Sequence, residues 1–302
     1  MSEREIVLVT HTGRRDIIEL ARGVVQRLHS AGVRVSVPQV EADELRFDGV
    51  CALPEPSPDP THPTQQRAPE LVMVLGGDGT FLRAAEYARP YRSPMVGVNL
   101  GHVGFLAETE PDMLHEVLGR LLDRDYTVQE RMTLDVDVID PNDESNIQHT
   151  WALNEASLER THRERILEVD IRVDDHPLTS FGCDGVLCST PTGSTAYAFS
   201  AGGPLMWPDV EAMLVVPNAA HALFARPLVV SPRSVVRMDL STRGPSAVLA
   251  ADGRRLLAVS AGHSVIVRQG AAPIRVARLN VGGFADKLVA KFHLPTAGFR
   301  DL

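Results

Sequence analysis

The apolar residues of this chain change period near residue 130, and that change limits what it can fold into. Before it, short wholly apolar runs alternate with helical patterns. Ile6-Val7-Leu8-Val9 reads as a strand buried on both faces. Ile17, Ile18, Leu20, Ala21, Val24, Val25 and Leu28 follow at helical spacing, and Gly32 ends that helix. Val33 to Val37, Leu71 to Leu75 and Met95 to Val98 repeat the strand signal, with helices expected over 81–88 and 113–122. This alternation predicts a doubly wound α/β domain over residues 1–130. Pro54, Pro56, Pro58, Pro60, Pro63 and Pro69 break all periodicity and predict a mobile surface loop over 52–69.

After Tyr126 the period falls to two. Leu134/Val136/Val138, Val169/Ile171/Val173, Val236/Met238/Leu240, Val265/Val267 and Ile274/Val276 alternate with polar residues. Residues 131–281 therefore read as a second, mostly antiparallel β domain. Phe284, Leu288, Val289 and Phe292 have helical spacing, and segment 282–302 is expected to return to the first domain.

Charge narrows the chemistry. Of 30 Lys and Arg residues, only Lys287 and Lys291 are lysines. A Walker A loop or a kinase lysine on an early strand is therefore excluded, and phosphate must be handled by amides, arginine and metal. A formal net charge of −9 argues against nucleic-acid and anionic-membrane surfaces. Three sparse cysteines, acids in place of a basic leader and a Ser/Thr/Gly/Pro-crowded uncharged stretch from Gly185 to Pro208 predict a cytoplasmic protein with free thiols and no membrane span. The histidines show no metal-ligand spacing.

Three motifs stand out. Gly76-Gly77-Asp78-Gly79-Thr80 follows a buried strand and precedes a helix, the address of a ligand in an open parallel sheet. Two readings stay open there: a backbone cradle for phosphate, or a tight turn with Asp78 or Thr80 capping the helix. A carboxylate among glycines can also accept a hydroxyl proton. Asn154-Glu155 alone reads as a polar strand end. Asp184-Gly185 alone reads as a hairpin turn. From Ser189 to Ser200, seven hydroxyl-bearing residues within twelve positions exceed what capping needs and suit a sugar or nucleotide. Arg83 and Arg165 read by default as solvated cations.

Taken together, Gly76-Gly77-Asp78-Gly79-Thr80, Asn154-Glu155, Asp184-Gly185 and Thr190-Pro191-Thr192-Gly193-Ser194-Thr195-Ala196-Tyr197 resemble the NAD kinase family in order and spacing. The glycine motif alone is shared with diacylglycerol and sphingosine kinases, whereas the Thr/Ser string is far more specific. The resemblance implies a Rossmann-like α/β domain followed by a β-sandwich-like domain. It implies phosphorylation of the 2′-hydroxyl of the adenosine ribose of NAD, with ATP or inorganic polyphosphate as donor. A divalent cation, Mg²⁺, is carried with the donor, and no protein metal ligands are expected.

Carried onto this sequence, the resemblance makes Asp78 the proton acceptor and places Gly79 beside the phosphates. Asn154 and Glu155 bind the adenine-ribose region, and Asp184 contacts substrate. Thr195, Ala196, Tyr197, Ala198, Phe199 and Ser200 line the pocket, and Arg83 and Arg165 contact phosphate. Asp252-Gly253-Arg254 departs from family members with Gln in the third place, so Arg254 receives no role. A homodimer or homotetramer is implied. The alternatives are a lipid or sphingoid kinase, disfavoured by the charge and the polar Thr/Ser cluster, and a dinucleotide-binding regulator, which has no use for Asp78.

Overall fold

The computed structural model describes residues 4–11, 13–45, 49–56, 67–100, 104–106, 113–161, 165–279 and 283–296. Ten residues of the expected proline-rich loop, 57–66, lie outside them. Two compact units form: Met1–Glu130 with Ile274–Leu302, and Arg131–Pro273.

The first unit is a seven-stranded sheet in the order β3-β2-β1-β4-β5-β19-β6. Its strands are β1 (Glu5–Thr10), β2 (Arg34–Pro38), β3 (Cys51–Leu53), β4 (Leu71–Leu75), β5 (Met95–Val98), β6 (Thr127–Arg131) and β19 (Ile274–Arg278). Apolar runs become central strands because both faces are covered. Ile6, Leu8, Leu71, Met73 and Leu75 pack against Ile17, Ala21, Val24, Val25 and Leu28 of α1 (Arg15–Ser30). Leu114, Val117, Leu118 and Leu121 of α4 (Leu114–Leu122) join the same cluster. Val7, Val9, Val72 and Val74 alternate to the opposite face and are fully buried, and α3 (Asp78–Ala88) packs on β1, β4 and β5. Each such side chain contributes about 1.5–3 kcal/mol of apolar burial.

The sheet runs outward from β1 through β2 and β3, then resumes on the other side with β4 and β5, all in parallel. The strand order thus reverses between β1 and β4, and their carboxyl ends, Thr10 and Leu75, flank the place where such folds bind ligands. Two strands differ from the sequence reading. Cys51–Leu53 pairs in parallel with β2, so the expected loop begins later than residue 52. The Ile274/Val276 alternation belongs to β19, which pairs in parallel with β5 in the first unit and ends the second unit at Pro273. Alternation reports a buried face but not which sheet a strand joins. The helix α6 (Phe284–Phe292) also belongs to the first unit.

The second unit is a sandwich of two six-stranded antiparallel sheets. With β8 (Asp143–Ala152), β11 (His176–Cys183), β14 (Leu228–Val230) and β18 (Ser264–Gln269), the order is β11-β10-β15-β18-β7-β8 in one and β14-β13-β12-β9-β16-β17 in the other. Leu134, Val136 and Val138 of β7 (Leu134–Asp140), Val169 and Ile171 of β10 (Leu167–Val173) and Met238 of β15 (Val236–Leu240) point inward from the first. Leu158 of β9 (Glu155–Arg160), Val186 and Cys188 of β12 (Gly185–Ser189), Val215 of β13 (Met213–Asn218) and Leu249 of β16 (Ala247–Ala251) answer from the second. Period-two alternation is the sequence form of this packing. All three cysteines are free thiols. Among the described residues no helix is long and apolar enough to cross a membrane.

Candidate active site

In the first unit the chain leaves β4 through Gly76 and Gly77 into α3. Gly77, in an extended conformation, caps the helix, and its carbonyl accepts the Thr80 and Phe81 amides. Asp78, the first helical residue, does not cap that helix. Its carboxylate instead accepts the Phe105 amide at 3.1 Å on Oδ2 and the Leu106 amide at 3.0 Å on Oδ1. A Cβ on Gly104 would lie 2.5 Å from Asp78 Oδ1, so glycine there permits the approach. Gly79 is exposed, with open space where a side chain would stand. The result is a fixed carboxylate beside bare backbone at the strand-order reversal.

Arg83 lies on α3 and turns towards the end of β1. It donates to the Thr10 carbonyl at 2.6 Å and pairs with Glu41, whose side chain has no exposure. Glu41 also accepts the Thr10 amide at 2.7 Å and hydroxyl at 2.9 Å. Burial pushes its carboxyl up to about 7, against the pull of Arg83 and Thr10. The arginine thus compensates a buried acid that sequence reasoning did not single out.

In the second unit, Asn154 and Glu155 sit at the head of β9 and are buried. Asp252, in the hairpin between β16 and β17 (Arg255–Val259), accepts the Asn154 amide at 2.7 Å and the Leu153 amide at 2.9 Å. Asp252 and Gly253 both take positive φ, which an Asp-Gly turn tolerates. Arg255 donates to Asp252 at 2.6 Å and to the Trp151 carbonyl, with its guanidinium 4.3 Å from the Trp151 ring. Burial pushes the Glu155 carboxyl up to about 8, and nearby Asp252 adds to this while the Tyr197 amide opposes it. Two buried atoms here, Asn154 Oδ1 and Glu155 Oε2, have no hydrogen-bond partner.

The Thr/Ser string turns through a 3₁₀ segment, Thr192–Thr195, into the short α5 (Tyr197–Ser200). Its hydroxyls mostly serve the fold. Thr190 donates to the Leu153 carbonyl at 2.6 Å, Ser189 to the Asn154 carbonyl, Ser194 to the Pro191 carbonyl and Thr195 to the Thr192 carbonyl. A Cβ on Gly193 would stand 2.1 Å from the Asn154 carbonyl oxygen, so the loop and the Asn154 backbone are in contact. Two of the seven hydroxyls, those of Ser189 and Thr190, thus lock the 153–155 segment.

Ala198 is buried against Leu187, Leu214 and Val216, whereas Phe199 and Ser200 are exposed. Asp184 lies at the other end of β12 from Glu155, where Gly185 pairs with Glu159 and Asn218. Its carboxylate accepts from Arg160 at 3.1 Å. Tyr197 spans the distance: its amide is beside Glu155, and its hydroxyl accepts from Asn218 at 3.1 Å. Ala196 is the turn residue between the 3₁₀ segment and α5. Arg165 is exposed, two residues ahead of β10. Phe105 and Leu106 in the first unit, and Asp252 and Asn218 in the second, bond to the motif residues or their backbone, Arg255 bonds to Asp252, and the motifs named none of them. Only the Asp252-Gly253 dipeptide carried a signal for any of them.

Residues 6–126 match the family model for the ATP-NAD kinase N-terminal domain, and residues 153–279 match that for the ATP-NAD kinase C-terminal domain. The chain is 51% identical over 304 residues to NAD kinase 2 of Streptomyces avermitilis, covering 98% of this chain and 97% of the relative. It is 51% identical over 305 residues to NAD kinase of Rhodococcus erythropolis, covering 98% and 96%. Two solved structures share the fold. Yeast NADH kinase complexed with NADH superimposes with a TM-score of 0.84 at 23% identity, covering 98% of this chain and 89% of that one. An NAD kinase from Archaeoglobus fulgidus in complex with ATP gives 0.70 at 22% identity, covering 96% and 98%. The chain belongs to the NAD kinase family and is an enzyme of that activity.

Proposed function

We propose that this enzyme uses Asp78 to deprotonate the 2′-hydroxyl of the adenosine ribose of NAD as that oxygen attacks the terminal phosphorus of ATP. The new O–P bond replaces the bond to the leaving ADP, and the proton goes to Asp78. The observation that carries this reading is the carboxylate held by the Phe105 and Leu106 amides beside exposed Gly79. Phosphoryl transfer asks for alignment, charge neutralisation and a base, and a placed base is worth roughly 10²–10⁴ in rate. Gly79 lies beside the phosphates. Asn154 and Glu155 present their unpaired buried oxygens to donors of the adenosine moiety. Thr195, Ala196, Tyr197, Phe199 and Asp184 complete that second-unit surface. Arg83 balances Glu41 at the phosphate end, and Arg165 is a peripheral phosphate contact.

Among the described residues no group of three or more His, Cys, Asp or Glu side chains is placed to hold a metal ion. In this reading Mg²⁺ is carried by the donor phosphates and water. The ion would neutralise charge on the donor. Inorganic polyphosphate, with the same terminal phosphoanhydride, is a second donor in this reading. A cytoplasmic homodimer or homotetramer is also part of it.

Asp78→Asn tests the assignment. With NAD, ATP and Mg²⁺, NADP formation should fall about 10²–10⁴-fold while the KM for NAD changes little. Turnover near that of the unchanged enzyme removes Asp78 as base.

A further inference from the structure

Lys287 is one of only two lysines in the chain, and it lies on α6, 209 positions after Asp78. Its ammonium donates to the carbonyl oxygen of Phe105 at 3.2 Å. That carbonyl and the Leu106 N–H belong to one planar peptide group, and the Leu106 N–H is 3.0 Å from Asp78 Oδ1. Lys287, the Phe105–Leu106 peptide and Asp78 therefore form one continuous hydrogen-bonded chain. A cation on the oxygen end polarises the peptide and strengthens its N–H as a donor, because hydrogen bonds in series reinforce each other. The Phe105 ring is held from the same helix, with ring centroids 5.8 Å from Phe284 and 6.1 Å from Phe292. The buried Leu288 anchors α6.

From this juxtaposition we infer that Lys287 is a positioning residue for the phosphoryl transfer, acting through the Phe105–Leu106 peptide on the orientation of the Asp78 carboxylate. It touches neither substrate nor reacting atom in this role. The C-terminal helix, far from the glycine motif in sequence, thereby completes the catalytic loop. The inference rests on the reading of Asp78 as base.

The experiment uses the full-length enzyme in four forms: unchanged, Lys287→Met, Asp78→Asn and the double variant, with Lys287→Arg as rescue. Methionine keeps the apolar stem and removes the donor. Lys287→Met should lower kcat about 5–20-fold, a fraction of the loss when a catalytic donor itself is deleted, with the KM for NAD within about twofold. Lys287→Arg, which keeps a charged donor, should regain most of that kcat. In the Asp78→Asn background Lys287→Met should cost nothing further, since its effect runs through that carboxylate.

Unchanged kcat in Lys287→Met, a change confined to KM, failure of rescue in a folded Lys287→Arg, or an equal loss in the Asp78→Asn background each overturns the inference. Near-normal turnover of Asp78→Asn alone overturns the base reading instead, so the two failures are distinct. If Lys287→Met melts far below the unchanged enzyme, Lys287→Gln, a neutral donor, replaces it. A kcat between those of the lysine and arginine forms and that of the Asp78→Asn enzyme is then expected, and an unchanged kcat again overturns the inference.

Discussion

The candidate clusters of the two units treat their side-chain oxygens in opposite ways. In the first, both oxygens of Asp78 are bonded by backbone amides, Glu41 is bonded by Thr10 and Arg83, and the constellation is complete. In the second, the backbone of the 153–155 segment is fully tied to Asp252, Thr190 and Ser189, yet Asn154 Oδ1 and Glu155 Oε2 are left bare. A buried polar atom without a partner costs about 1–3 kcal/mol. On the proposed reading, the first unit then holds a prearranged base, and the second holds acceptors that a ligand can pair, so that chemistry and recognition fall to different units.

Two glycines offer the strongest means of breaking that division. Gly104→Ala brings a Cβ against Asp78 Oδ1, a movable side chain, at 2.5 Å. Gly193→Ala brings one against the Asn154 carbonyl, fixed backbone, at 2.1 Å. Gly104→Ala should reduce kcat about 10²-fold by displacing Asp78, with little change in NAD affinity or melting temperature. Gly193→Ala should destabilise the fold by about 3 kcal/mol and raise the KM for NAD at least about tenfold, because strand-anchored backbone must move. Steady-state kinetics with thermal melts check both. If Gly104→Ala weakens NAD binding and Gly193→Ala leaves it intact, the division of labour is wrong.

A smaller effect is expected at Asp252. Asp252→Asn removes the charge opposite Arg255, and an amide cannot serve two N–H donors and a guanidinium as well as a carboxylate does. Breaking one side of a buried pair costs about 3 kcal/mol, somewhat less here because Arg255 retains the Trp151 carbonyl and ring. The KM for NAD should rise about fivefold as Asn154 and Glu155 loosen, while kcat stays near its unchanged value. Titration calorimetry with NAD checks this, and an unaffected affinity would show that the pocket holds its shape without Asp252.

The legible and illegible parts of this site divide along sequence distance. The strand–turn–helix placement of Asp78 was readable because these elements are adjacent in the chain, so local period and glycine content mark the address. Asp252 was not, because its role depends on β16 lying beside β9, a pairing that no local pattern announces. Phe105, Leu106 and Lys287 are further cases: a backbone amide has no sequence signature, and the lysine reaches it from 182 residues away. The Ser/Thr run was visible but its physical use was not, since a hydroxyl donating to its own backbone looks in sequence like one awaiting a sugar. The sandwich was legible as period two. The assignment of β19 to the other sheet was not, because alternation is blind to sheet membership.

The mildest test concerns Glu155, whose unpaired oxygen distinguishes the second unit from the first. Its carboxyl, raised by burial to about 8 from an ordinary value near 4.5, binds its proton more tightly in the folded protein than in the unfolded chain. The stability it contributes is therefore full below the ordinary carboxylate range and is lost as pH rises towards about 8. Glu155→Gln keeps the shape and abolishes the titration. The difference in unfolding free energy between the two proteins should thus shift in favour of the glutamine form between pH 5 and pH 8, by up to about 1.4 kcal/mol per pH unit. Urea melts at several pH values measure it, and other titrating groups cancel in the difference. Saturating NAD should shrink the shift, because donors from the ligand stabilise the ionised carboxylate where the empty pocket does not. Parallel curves for the two proteins without ligand would mean that Glu155 is already hydrated, and the contrast between a satisfied cluster in the first unit and an unsatisfied one in the second would then rest on Asn154 alone.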